Sequence, residues 1–444
     1  MSHMSRGVES RPEERLRRGK RRSVLAALAV TASVLAACSS TASTTSTSGS
    51  SSSSAIPAAA FKDTTGLTAT TVRIGNVSTD FAGLFQGATV GTEAYADYVN
   101  STGGINGRKL VVDAGDDGFQ GPKNQQLTQS DIANDFALVG GFSLQDNFGG
   151  QVLAQNPSVP NVAVSLDLKT AELPNSFSPQ PTLNGWQTGP LNYFKTTFPE
   201  DIKHVGALIA NQPSAVAKWN AEKATMEHLG YTISYVSEFP ISQSTFNANV
   251  IAMKNAGVKI LFLEQMPDLY AGPVMKALAQ QNFHPQVVWG ASTYSSKLIS
   301  LSGGPANTNG TYLEQTDSLY LGQDEAHIPA IKTFLDWVQQ AKPGFTPDLY
   351  TLYGWLSAEL FSQALKAAGP HPTRGSVLQQ LRNITSFTGG NIVAPVNPSA
   401  KTPATCYIIA KVVNGNFVRV DDPPISGSTH GYRCDGTYYT PPNG

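Results

Sequence analysis

Histidine is scarce in this chain, and so are the motifs through which many hydrolases and nucleotide enzymes work. Seven histidines are scattered over 444 residues, and none stands beside a cysteine at the spacing of a zinc site. There is no H-E-x-x-H, no G-x-S-x-G and no G-x-x-x-x-G-K-S/T. The first apolar run of the main body continues Gly75-Asn76-Val77-Ser78-Thr79-Asp80, without the G-x-G-x-x-G that cradles a dinucleotide. No catalytic residue, metal ligand or cofactor is therefore assigned. Basic charge is also thin. Eight of the 31 Lys and Arg, but only three of the 32 Asp and Glu, precede Cys38, so the chain after it carries 23 against 29, a net of −6. That balance argues against binding a nucleic acid backbone, which needs a basic face. Cysteine is limited to three residues. Long apolar runs are missing too: Val24 to Val34 falls well short of the ~20 residues that span a bilayer.

What the N-terminus does contain is ordered. A basic cluster (Arg17, Arg18, Lys20, Arg21, Arg22) precedes the apolar run. Small residues then lead to a single cysteine in Val34-Leu35-Ala36-Ala37-Cys38-Ser39. This is the arrangement of a bacterial lipoprotein signal, with residues 1–37 removed and Cys38 acylated. The Arg pairs leave both the general secretory and the twin-arginine routes open. Residues 38–63, nearly all Ser and Thr as far as Ser54, read as a tether, because such a composition buries too little apolar area to offset chain entropy. The mature protein is thus expected outside the cell membrane, attached through its lipid alone. Cys406 and Cys434 are left as a pair in an exported protein and are predicted to form a disulfide.

The remainder, from about Thr64, is too large for one ordinary core and implies two lobes. Short apolar runs alternate with amphipathic ones. Strands are predicted at Thr71–Val77, Lys109–Gly115, Ala137–Phe142 and Asn161–Ser165, with a helix at Gly87–Asn100 and another opened by Pro122. After Pro181 the rhythm restarts. Strands are predicted at His204–Ala210, Thr232–Phe239, Lys259–Glu264 and Gln286–Gly290, and helices at Val216–Leu229, Thr245–Ala256 and Ala271–Gln281. Helices at Ile328–Gln340, Pro347–Ala367 and Arg374–Arg382 follow. A strand pair at Cys406–Val412 and Asn416–Val420 turns at Asn414-Gly415. Alternating strands and helices mean βαβ units, so the fold class is α/β, with two Rossmann-like doubly wound lobes.

Several segments together resemble one family. Gly103-Gly104-Ile105-Asn106-Gly107-Arg108-Lys109-Leu110 resembles the GGINGRKL link between the first helix and second strand of type I periplasmic binding proteins, the ligand-binding subunits of ABC importers of the branched-chain amino acid type. Asp116-Asp117 with Pro122 is similar to the family's D-D-x-x-x-P. Ser244-Thr245-Phe246 through Asn255-Ala256-Gly257 is similar to its D-F-S-x-x-V-x-x-L-K-x-A-G helix. Trp289-Gly290-Ala291-Ser292 resembles its strand-ending G-x-x. Pro347-Asp348 with Tyr350 and Tyr353 resembles its P-D-x-Y helix start. The order and spacing of these pieces are specific, and they cover roughly Thr71 to Val420.

The resemblance implies two lobes joined by three crossovers near Pro181–Asn184, Glu314–Ser318 and Asn391–Asn397, with ligand in the cleft between them. Lobe one would comprise 71–182 plus 318–390, lobe two 183–317 plus 391–420, and 421–444 a tail. It further implies a monomer that captures a small organic molecule (an amino acid, amide or aromatic acid) by hinge closure and delivers it to permease subunits, without chemistry. A sensory system that uses the same fold is the alternative. A one-chain receptor is expected to carry a second span and an output module after the ligand-binding part, neither of which is read before Pro441-Pro442-Asn443-Gly444, so a sensory role is expected to work through a separate receptor.

Parallel sheets bind ligands at the carboxyl ends of their strands, so the loops after the strands are the candidates. In lobe one these offer Phe85, Phe142, Ser143, Leu144, Gln145, Leu166 and Asp167; in lobe two, Asn211, Gln212, Gln265, Met266, Ser292 and Tyr294. Phe85, Phe142, Met266 and Tyr294 are expected to enclose an apolar or aromatic body, and Ser143, Gln145, Gln265 and Ser292 its polar end. Asp116 and Asp117 are expected to cap the following helix, and Tyr350, Trp355 and Phe361, at helical spacing, to be core. The amino acid binders carry an acid after the strand equivalent to Gln286–Gly290, where it meets the ligand ammonium. Ser292 stands there in this chain, and this departure puts an amino acid ligand in doubt.

Overall fold

The computed structural model describes residues 55–80, 83–263, 266–420 and 422–442. The signal segment, Cys38, the Ser/Thr run as far as residue 54 and Gln265 lie outside them.

The chain enters its first sheet at β1 (Thr71–Ser78). It then alternates through α1 (Gln86–Ser101), β2 (Lys109–Asp116), α2 (Gly121–Asn134), β3 (Ala137–Val139), α3 (Asp146–Gln155), β4 (Asn161–Val162), α4 (Leu168–Glu172) and β5 (Ser176–Phe177). The strand order is β2-β1-β3-β4-β5, and every pairing is parallel. β1 is buried almost throughout, with Val72, Ile74 and Val77 in the core, as a strand covered on both faces must be.

A short strand β6 (Trp186–Gln187) and helix α5 (Gly189–Thr197) lead to a second series. It runs β7 (Val205–Ala210), α6 (Pro213–His228), β8 (Ile233–Phe239), α7 (Asn247–Asn255), β9 (Ile260–Leu263), α8 (Asp268–Gln280), β10 (Gln286–Trp289), two one-turn helices α9 (Leu298–Leu301) and α10 (Pro305–Thr308), and β11 (Tyr312–Gln315). Three helices follow, α11 (Pro329–Ala341), α12 (Leu349–Ala367) and α13 (Arg374–Asn383), and then the hairpin β12 (Ile408–Val413) and β13 (Asn416–Arg419) and a last strand β14 (Tyr438–Tyr439). The second sheet runs β13-β12-β11-β10-β9-β7-β8. Its portion β8-β7-β9-β10-β11 repeats the 2-1-3-4-5 order of the first sheet, the flavodoxin-like winding, whose switch point lies between the first and third strands. The hairpin adds two antiparallel strands through Asn414 (φ 51°) and Gly415 (φ 81°), the left-handed pair of a type I′ turn.

Strand lengths depart from the sequence reading. Ala137–Phe142 stops at Val139 because Gly140 (φ 73°) turns the chain out of the sheet, and Asn161–Ser165 shortens to two residues. Glu314 and Gln315, expected in a crossover, belong to β11 instead. Helix α12 returns to the first sheet, against β3 and β4, and lies along α1. Its start is capped by Asp348, which accepts from the Thr351 amide at 2.8 Å.

The three connections between the sheets lie side by side. Gln180 donates to Asp317. The Ser318 amide donates to the Ile392 carbonyl at 2.7 Å, and the Ala394 amide to the Thr316 carbonyl at 2.8 Å. Cys406 and Cys434 are joined by a disulfide.

Candidate functional site

The carboxyl ends of both sheets open into one cleft of about 250 Å3. Its two walls differ in chemistry. The first sheet supplies an apolar and aromatic wall: Leu84, Phe85, Phe142, Leu144, Val164 and Leu166, with Leu349, Tyr350 and Tyr353 from the start of α12. Ring centroids lie 5.0 Å apart for Phe85–Phe142, 4.5 Å for Phe85–Tyr350 and 4.9 Å for Phe142–Tyr350. Edge-on contacts of Phe85 with the other two rings, and a tilted one between Phe142 and Tyr350, fix each ring and present a stiff apolar surface. The second sheet supplies most of the polar groups. Gln212, Ser214 and Lys218 come from the loop after β7 and the first turns of α6. Ser292 follows β10, and Glu314 and Gln315 end β11. Glu314 accepts from the Gln187 amide at 3.3 Å. Gln180, Trp186 and Gln187, in and beside the first connection, close one side.

A model of the family described as periplasmic binding protein matches residues 71–416, both sheets together. This chain belongs to that family.

It is 28% identical over 301 residues to the Leu/Ile/Val-binding protein homolog 1 of Brucella abortus, covering 63% of this chain and 73% of the relative. Among solved structures it resembles a branched-chain amino acid ABC transporter protein of Thermus thermophilus with bound valine (16% identity, TM-score 0.68, covering 82% of this chain and 98% of that one). It also resembles the fatty acid ABC transporter substrate-binding protein of Thermomonospora curvata (17%, TM-score 0.66, 81% and 94%). A solute-binding protein of Rhodopseudomonas palustris in complex with 3,4-dihydroxybenzoic acid is similar as well (16%, TM-score 0.65, 79% and 96%).

Within this binding protein the loop residues singled out from sequence divide. Phe85, Phe142, Leu144, Leu166, Gln212 and Ser292 line the cleft. The others that are described do not. Ser143 is buried; it donates to Asp117, accepts from the Thr79 hydroxyl at 3.0 Å and the Gln145 amide at 2.8 Å, and so ties three loops of lobe one together. Gln145 stands at the N-terminus of α3. Asp167 caps α4, accepting from the Thr170 amide at 3.0 Å. Asn211 is exposed, its amide donating to the Phe239 carbonyl at 2.7 Å. Met266 is 1% exposed inside the core, and its carbonyl accepts from the Thr293 hydroxyl at 2.7 Å. Tyr294 is equally buried. It packs on Tyr320 and Phe417 at 5.0 and 4.8 Å, and its oxygen accepts from the Leu321 amide at 3.0 Å.

Two roles therefore change place. Ser143, expected at the polar end on lobe one, instead holds that lobe's loops together, Gln145 does not line the cleft, and the cleft's polar side chains stand mostly on lobe two. Tyr350, read from helical spacing as core, is both core and wall, since it stacks inward yet borders the cleft. Asp116 and Asp117, expected to cap the following helix, do not: Gln120 stands at the start of α2 without a side-chain cap, and Asp117 instead accepts from the loop amide of Phe119 and from the Asn124 side chain, each at 2.9 Å, while Asp116 accepts from the amides of Asp80 and Gly118. Lys218, Glu314, Trp186 and Gln187 were not singled out from sequence. Their signal was weak: Ser214 and Lys218 share one face of α6 by i, i+4 spacing, but nothing local says that this face meets a ligand. No described helix is long and apolar enough to cross a membrane.

Proposed function

We propose that this member of the periplasmic binding protein family is the extracytoplasmic capture subunit of an ABC importer. It takes a small organic ligand with an apolar or aromatic body and a polar end. The observation that carries the reading is a cleft at the carboxyl ends of both sheets, with an aromatic wall on lobe one and most of its polar side chains on lobe two, set beside Ile241, Pro267 and Tyr270. Ligand seats its body on the Phe85–Phe142–Tyr350 wall. The three connections then bend, and lobe two closes over it. The closed form docks on a permease, and the protein works as a monomer held by lipid at Cys38. The relatives bind or are named for branched-chain amino acids, a fatty acid and an aromatic acid. All of these join a carboxyl group to an apolar or aromatic body, which supports reading the cleft as a site for such a molecule.

A thermal-shift screen of amino acids, aromatic and aliphatic acids, amides and polyols, followed by calorimetry on the hits, tests the reading. Phe85→Leu should weaken the best ligand about tenfold or more by removing one ring of the wall, whereas Cys38→Ser should release the protein into the medium with its affinity unchanged. Full affinity in Phe85→Leu would remove the Phe85 wall from the ligand's contacts.

A further inference from the structure

Lys218 is the only cationic side chain among the described residues that line the cleft. It projects from the second turn of α6, is partly buried, and faces the space in front of the aromatic wall. Its amine makes no hydrogen bond and no ion pair with any described residue. The other lysine drawn far into the protein is different: Lys401 donates to the carbonyls of Ala171, Leu173 and Ser176. The nearest influence of opposite charge on Lys218 is Asp146, from α3 on the other lobe. That carboxylate is already engaged by the backbone amides of Leu166 at 2.6 Å and Asp167 at 3.1 Å. Glu314, the one acidic side chain among the described lining residues, holds the Gln187 amide. A partly buried ammonium with three open donors is costly to maintain and is rare without a partner.

We infer that Lys218 is the residue that binds the ligand's carboxylate. The cleft thus takes an organic carboxylate whose apolar or aromatic body lies on the Phe85 wall, and it rejects the matching uncharged amide. The inference rests on the cleft being the ligand site and adds the chemical class to it. The body seats on lobe one and the charged end on lobe two, so a carboxylate of sufficient length bridges the two walls and draws them together. Burial also lowers the lysine's affinity for its proton, an effect that an incoming carboxylate reverses.

Calorimetry with matched probes tests this on the full chain. The pairs are 4-methylpentanoate and 4-methylpentanamide, benzoate and benzamide, and decanoate and decanamide, with leucine added. At least one carboxylate should bind, and its amide should bind at least about tenfold more weakly. Lys218→Met should weaken the bound carboxylate by about 10- to 100-fold, the range expected for loss of a charge-assisted bond, and should change the amide by less than about twofold. Lys218→Arg should recover part of the loss. The Tm of ligand-free Lys218→Met should equal or exceed that of the parent, since an unpaired cation is removed, and this separates lost recognition from lost folding. Equal carboxylate affinity in the parent and Lys218→Met would overturn the inference, as would a panel in which only amides bind or no carboxylate binds. If Phe85→Leu weakens such a ligand while Lys218→Met does not, the cleft stands as the site and the lysine's role falls. If neither substitution matters, the site itself falls.

Discussion

Glycine rather than any large side chain sets how closely the lobe-one wall can be built. Helices α1 and α12 meet backbone to backbone at Gly91 and Gly354: a Cβ on Gly91 would lie 1.9 Å from the Thr351 carbonyl oxygen, and one on Gly354 would lie 2.0 Å from that of Ala88. No side-chain rearrangement relieves a clash with backbone, so the helices would have to part. Phe85 immediately precedes α1 and Tyr350 opens α12, so the spacing of their rings follows from this contact. Gly91→Ala is expected to cost roughly 1–3 kcal/mol, the usual range for overpacking, which a urea titration would measure. It should also weaken ligand binding with no direct contact to ligand. Unchanged stability would mean that the helices separate freely, and that the wall is positioned by something else.

Among the elements, the C-terminal tail has the most unexpected placement. Beyond β13 it is anchored by Arg433, which donates to Asp422 at 2.9 Å, and by the Cys406–Cys434 disulfide. It then delivers β14 to pair with β6, and the Tyr438 hydroxyl donates to the carbonyls of Leu183 and Gly185 at 3.0 and 2.9 Å. β6 contributes Trp186 and Gln187 to the cleft, so the tail braces a segment that borders both ligand and the first connection. The disulfide closes a loop with a sequence separation of 28, for which chain-entropy reasoning gives about 3.6 kcal/mol. Replacing both cysteines by serine should lower stability by about that amount and weaken ligand binding as well, because β6 loses its backing. Calorimetric unfolding and binding on the same sample would show both. A stability loss with intact affinity would confine the tail to a structural role.

For the whole molecule, pH is the accessible variable. Burial pushes Asp317, in the second connection, and Glu359, on α12, up to about 7, well above the usual carboxylate range. A carboxyl whose affinity for protons is raised by folding binds more protons in the native than in the unfolded state between those two values. Its contribution is therefore fully present at low pH and is lost as pH rises from about 4 to 7. Other groups add their own slopes, so Asp317→Asn provides the decisive comparison. Asparagine keeps the acceptor for Gln180 but cannot ionise. The variant should be more stable than the parent at pH 8 by at least ~2 °C in Tm, with the difference shrinking towards pH 4. A constant offset across that range would exclude ionisation of Asp317 as the cause.

The sequence by itself determined the two doubly wound series, because alternation of strand and helix is a local, periodic signal that each segment carries in its own residues. The same local chemistry placed Pro122 in the first turn of α2, the type I′ turn at Asn414-Gly415, and the loops in which to look for a site. It did not show β5, β6 and β14, two-residue strands that exist only because a partner strand is present. Nor did it decide which polar loop residues face a ligand. Ser143 and Asp167 have the same composition signal as a binding residue and are consumed by caps and by ties between loops, whereas Lys218 sits inside an ordinary helix and comes to the cleft because α6 follows β7 at the switch point of the second sheet. A side chain's donors and acceptors are written in the sequence. Whether they are already used is a property of what packs beside them, which only the tertiary structure sets.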